Sequence, residues 1–203
     1  SWLAVGLAFC GGMFGAATGA LPSFVICGIG AMLAGALGFL SAPTQAVIDG
    51  CVTWGLLVGP QTAFGGGAVA ALYAKRRGLL ENGRDICTPL MGLNAPDVLL
   101  VGGVFGVAGA LLTFALSRGV AGHFNNAIAT AIVLVMILGR VMFGSTGVLG
   151  KVAPGTNRWA GNPAGCWVTW QHDWPQILLI ALAVGLPASH LALTQPGSTL
   201  LIF

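Results

Sequence analysis

The chain has 203 residues, of which 56 % are hydrophobic and only 6 % charged, with 33 glycines and a formal net charge of +3. A water-soluble domain carries about 25 % charged residues, so eight Lys and Arg with five Asp and Glu cannot cover a hydrated surface of this size. The bases are not gathered on one soluble face, so no nucleic-acid partner is expected. Lipid is then the solvent of the apolar surface, and a spanning backbone in lipid is a helix or a closed barrel. A barrel would alternate in polarity over stretches of about ten residues, whereas residues 98–116 and 128–138 are unbroken apolar runs. The expected fold is an all-α membrane protein, a polytopic bundle of about six transmembrane helices with broken helices. The glycine load reads as close packing of helix backbones, within a subunit or in a homo-oligomer.

A helix needs around 20 apolar residues to cross the hydrocarbon core. The first apolar stretch is twice that length and is interrupted by Gly19-Ala20-Leu21-Pro22-Ser23, where the proline predicts a helix end and spans over about 2–20 and 23–40. One kinked or re-entrant element is the alternative. Residues 41–44 read as a loop, and Asp49 as the cap of a third span over about 50–73. Lys75, Arg76, Arg77 and Arg84 mark a basic loop, 75–93. The Asn94-Ala95-Pro96-Asp97 segment opens a fourth span over about 97–117, and a fifth follows over about 123–143. Residues 144–174 are polar and hold Trp159, Trp167, Trp170 and Trp174, which read as an interfacial belt. A sixth span covers about 175–193. Loops 75–93 and 144–174 carry most of the basic residues, so both are expected on the cytoplasmic side with the termini outside.

Residues 11–17 resemble residues 102–108, on spans expected to run in opposite directions, as an inverted repeat requires. A second pair, 63–67 and 142–146, lies on spans expected to run the same way.

Polar groups inside spans are costly and point to function. Gly59-Pro60-Gln61-Thr62-Ala63-Phe64-Gly65-Gly66-Gly67 has the makeup of a discontinuous helix, with a proline, two polar side chains and three glycines that permit unwinding, or equally of a Pro-kinked, closely packed helix. Gln61, Phe64 and Gly65 are its candidate binding groups. Arg140, on the fifth span, either snorkels to the interface or offers a positive charge to an anionic solute. His123 and Asn125, with Asp49, read as helix caps or as a polar outer mouth. His123 and His190 near the outer span ends read as interfacial groups rather than haem ligands. The five cysteines show no metal-ligand spacing. No metal, cofactor or nucleophile–base constellation is expected, and the chain is not read as an enzyme.

Residues 59–74, together with Gly83-Arg84-Asp85-Ile86 and residues 96–106, resemble a family of uncharacterised prokaryotic multi-pass membrane proteins labelled permeases, over about half the chain. That family often has His after the Gly-Pro, where this chain has Gln61. The resemblance implies a prokaryotic cytoplasmic (inner) membrane and no particular substrate. The expected function is a transporter or channel for a small polar solute or ion, of anionic character if Arg140 takes part. A non-transporting membrane subunit that assembles a larger complex is the competing class.

Overall fold

Helix boundaries in the computed structural model follow from local chemistry at a few residues. The described residues are 1–38, 40–118, 126–151, 155 and 173–194, and they form α-helices without a strand. These are α1 (Trp2–Thr18), α2 (Ala20–Gly38), α3 (Ala42–Ile48), α4 (Ala63–Arg76), α5 (Pro96–Arg118), α6 (Ala127–Phe143) and α7 (Trp174–Thr194). A π-helical turn, Asp49–Thr53, continues α3, and a 3-10 turn, Leu90–Leu93, precedes α5.

The first apolar stretch divides at Gly19, whose φ of 95° only glycine adopts readily. Pro22 does not make the break. It lies in the first turn of α2, where a missing N–H leaves no intrahelical bond unmade. The Leu21 N–H in that turn donates to the Ile86 carbonyl at 2.9 Å. Asn126, rather than His123 or Asn125, caps α6, its Oδ1 accepting from the Ala129 N–H at 3.0 Å. His123 and Asn125 lie outside the described residues, as do Trp159, Trp167 and Trp170.

Helices α1, α4 and α5 pack mutually, α6 covers α4 and α5, and α2 packs on α4 and on α3 with its π turn. The order of contacts along the chain gives the directions. Gly65 faces Val135 and Gly139 faces Val69, so α4 and α6 run parallel. Gly106 faces Ala8 and Gly102 faces Ala16, so α1 and α5 run antiparallel. The two similar segments 11–17 and 102–108 therefore lie directly against each other. Both basic loops leave the bundle at one end, where the Tyr73 hydroxyl donates to Asp97 at 3.0 Å and Arg77 forms an ion pair with Asp97.

Burial is inverted relative to a water-soluble protein. The interior is chiefly Ala and Gly, with Ala16, Ala34, Ala63, Ala70 and Ala74 at 0 % exposure. Phe24, Ile29, Met32, Leu33, Val104, Phe114, Val133 and Val141 are all more than 40 % exposed. Four glycines from three helices meet at the centre: Gly66 of α4 lies against the Gly102 carbonyl and Gly12, and Gly106 against the Ala8 carbonyl and Gly12. Helices α2 and α5 are long and apolar enough to cross a membrane, and α1, α6 and the Trp174–His190 part of α7 are shorter apolar helices. Helix α7 makes no substantial contact with another described helix, and its Leu179, Val184 and Leu186 are more than 60 % exposed.

Loop 75–93 is organised by Asp85, whose carboxylate accepts from the Thr88 hydroxyl at 2.6 Å and from the Thr88 and Cys87 N–H groups at 3.1 and 3.2 Å. The Thr88 hydroxyl is the largest cause holding the Asp85 carboxyl below the ordinary carboxylate range. A carboxylate with a lowered folded-state pKa stabilises above its unfolded value of about 3.9, and that contribution is lost as pH falls through the folded value. Thermal melts are expected to show this acid-side loss below about pH 4. Asp85→Asn should lower the melting temperature at pH 7 and flatten its dependence below about pH 4; an unchanged acid limb would show that Asp85 does not hold the loop.

Candidate functional site

The stretch expected as a single span over 50–73 is two helical pieces with an irregular segment between them. Helix α3 starts at Ala42, capped by Ser41, and reaches Thr53 through the π turn. Residues 54–62 are non-helical, and α4 resumes at Ala63. Asp49 is therefore not an N-cap. It has α-helical dihedrals in the middle of the first piece, φ −60° and ψ −45°, because Ser41 and Pro43 already start the helix upstream.

The break also lies N-terminal to the glycine triplet. Gly65, Gly66 and Gly67 are helical, and the Gly65 N–H reaches back to the Pro60 carbonyl at 3.0 Å. Their role is approach, not unwinding: a Cβ on Gly67 would lie 2.6 Å from the Gly15 carbonyl oxygen. Gly65 is the roomiest of the three, since a Cβ added there would meet nothing closer than Val135 Cγ1 at 3.5 Å.

Segment 54–62 and the π turn before it lie against helices of the bundle at their middles, with Leu57 exposed. The Leu56 and Leu57 carbonyls lie against Gly11 of α1, and Thr53 against Gly30 of α2. The Cys27 thiol of α2 donates to the Thr53 carbonyl at 3.0 Å. The Gln61 carbonyl lies against Gly109 of α5, with Val135 of α6 beside the same position. Gly11, Cys27, Gly30, Gly109 and Val135 each fall within about two residues of the midpoint of their helix. The interruption therefore sits at half the height of the bundle.

Gln61 is 3 % exposed and folds back over the break. Its Nε2 donates to the Trp54 carbonyl at 3.0 Å and the Gly55 carbonyl at 3.4 Å. Two carbonyl acceptors fix the amide orientation, since only the nitrogen can donate to them. Gln61 Oε1 is then buried with no protein partner, and so is Thr53 Oγ1, in a side chain at 0 % exposure. Asp49 Oδ1, four residues before Thr53, is likewise buried and unpartnered. The Thr62 hydroxyl, by contrast, donates to the Gly59 carbonyl at 2.8 Å. Phe64 is half-buried and packs its ring 5.4 Å from that of Phe24.

Arg140 does not join this group. Parallel packing of α4 and α6 sets Gly139 beside Val69, about two helical turns beyond Gln61 toward the basic end. The Arg140 Nε donates to the Gly147 carbonyl at 2.6 Å and its Nη2 to the Thr146 hydroxyl at 3.2 Å. The structure thus brings together Gln61, Phe64 and Gly65 with Asp49 just upstream, separates Arg140, and adds Thr53. Nothing in the sequence around Thr53 distinguishes it, because its position depends on where the preceding helix begins.

The chain belongs to a family of unknown function, DUF7973, whose model matches residues 2–159. The match covers α1 to α6 and the whole of the broken element, while α7 lies beyond it. No curated protein and no solved structure matches the chain.

Proposed function

We propose that this protein is a multi-pass membrane protein of about six crossings that passes a small polar solute or ion through its helical bundle. In this reading α3, the break and α4 form one discontinuous crossing, α1, α2, α5, α6 and α7 are the others, and the basic end faces the cytoplasm. Large apolar side chains outside and Ala and Gly inside are what lipid-facing helices require, because packing between them depends on close backbone approach. Two basic loops at one end fit a cytoplasmic face in a prokaryotic inner membrane. Exposed α7 gives such a bundle an apolar face for lipid or for a second copy in a homo-oligomer.

One observation carries the transport reading. A helix is interrupted at mid-height, and the interruption and the π turn before it hold buried side-chain oxygens without protein partners. Irregular backbone at membrane depth is tolerated where it is enclosed by protein or lines a polar path, and transporters place their sites there. Purified protein in liposomes is expected to show flux for at least one member of a panel of inorganic ions, amino acids and small organic acids. Vesicles as tight as protein-free controls across that panel would reject the reading.

A further inference from the structure

We infer that the broken element binds a small monovalent cation, with the Gln61 side-chain oxygen and the Thr53 hydroxyl as two of its neutral ligands. The inference rests on the transport reading for its purpose, but on the polarity of the open groups for its sign. Both Gln61 donor contacts go to backbone carbonyls, at 3.0 and 3.4 Å, which leaves only an acceptor oxygen open. That amide donates to the carbonyls of Trp54 and Gly55, the two residues that follow Thr53, so both unpartnered side chains belong to the stretch where the π turn ends.

No basic residue occurs in segment 54–62, and Arg140 is engaged at the end of the bundle. An anion would find the Thr53 hydroxyl as a donor but would face the Gln61 oxygen, which can only accept. The acidic group on the same helical piece is Asp49, upstream of Thr53, which favours positive charge at the approach. Divalent hard cations take about six to eight oxygens, usually with several carboxylates, or keep their waters. Among the described residues no group of three His, Cys, Asp or Glu side chains could hold a metal ion. Neutral oxygens beside unwound backbone suit a single positive charge instead, as at the Na⁺ sites of discontinuous helices.

The test is thermal stability of the protein in nanodiscs, titrated with NaCl, KCl or NH₄Cl against choline chloride at constant total chloride. At least one of the three cations should raise the melting temperature saturably, by roughly 5 °C or more at about a hundredfold excess over Kd. Thr53→Val keeps the shape and removes the open hydroxyl. It should melt in choline no lower than wild type and lose most of the cation response. Gln61→Leu should also lose the response; should that variant not fold, Thr53→Val decides alone. A flat titration with all three cations overturns the inference, as does a response that Thr53→Val retains in full. Flux of an anion or neutral solute with a flat titration would remove the cation site and leave the transport reading standing. A cation response in a protein without flux would do the reverse.

Discussion

Gly66→Val is expected to abolish the folded bundle. A Cβ at position 66 would overlap the Gly102 carbonyl oxygen and sit 2.9 Å from Gly12 Cα and 3.2 Å from the Gly106 nitrogen. All three neighbours are backbone, so no side-chain rotation relieves the contact, and α1, α4 and α5 would have to move apart together. Overpacking a core costs about 1–3 kcal/mol when side chains can adjust. Here they cannot, and valine adds two methyls beyond that first carbon, so a loss at or above about 3 kcal/mol is expected. Gly66→Ala should cost roughly 1–3 kcal/mol. Size exclusion and thermal melts in detergent provide the measurement. Gly6→Ala and Gly28→Ala are the controls: each glycine is helical with nothing within 4 Å of an added Cβ. These should be neutral or stabilising by up to about 1 kcal/mol, the helix-propensity difference. A Gly66→Val protein that elutes and melts like wild type would show that the three helices do not meet as described.

The second large effect is expected at Gln61. Gln61→Leu removes the open acceptor oxygen and the amide donor that reaches the Trp54 and Gly55 carbonyls, while the Gly55 carbonyl keeps the Gly59 N–H at 2.9 Å. A hydrogen bond or ligand contact to a charged group contributes about 1.5–3 kcal/mol, and about 1.4 kcal/mol is a factor of ten in an equilibrium or rate. Flux through liposomes should therefore fall by roughly ten- to a hundredfold at equal amounts of folded protein. Arg140→Ala is the informative contrast. Its guanidinium is held by Thr146 and Gly147 at the basic end, so flux is expected to stay within about twofold of wild type, roughly 0.4 kcal/mol. Equal losses in both variants would return Arg140 to the proposed solute site and favour an anionic solute.

Much of this arrangement is legible in the sequence. The Asn94-Ala95-Pro96 start of α5, the basic turn closing α4, and the long apolar runs each follow from chemistry confined to a few neighbouring residues. Discontinuity around Pro60 and Gln61 is also legible, because a proline and a buried amide in an apolar run conflict with an uninterrupted helix. Its position is not, and the break lies several residues before the glycines expected to unwind. Glycine permits unwinding and permits close approach equally well, and which of the two Gly65, Gly66 and Gly67 serve depends on Gly12, Gly15, Gly102 and Gly106, which are distant in sequence. Asp49 differs from expectation for a related reason: an aspartate caps a helix only if nothing upstream has already started it, and Ser41 has.

Sequence by itself determined the helical class, the apolar character of the helices, the loops where positive charge gathers, and the few polar residues within the apolar runs. Those are consequences of composition and of contacts within one or two helical turns, where side-chain chemistry alone sets the free energy. Tertiary structure decided which polar groups share a site. It set the break at mid-height through the close approaches at Gly11, Gly30 and Gly109, and carried Arg140 to the end of the bundle through the parallel register of α4 and α6. Register between helices is set by backbone approach over long sequence separations, and no local pattern around Gln61 or Arg140 encodes it.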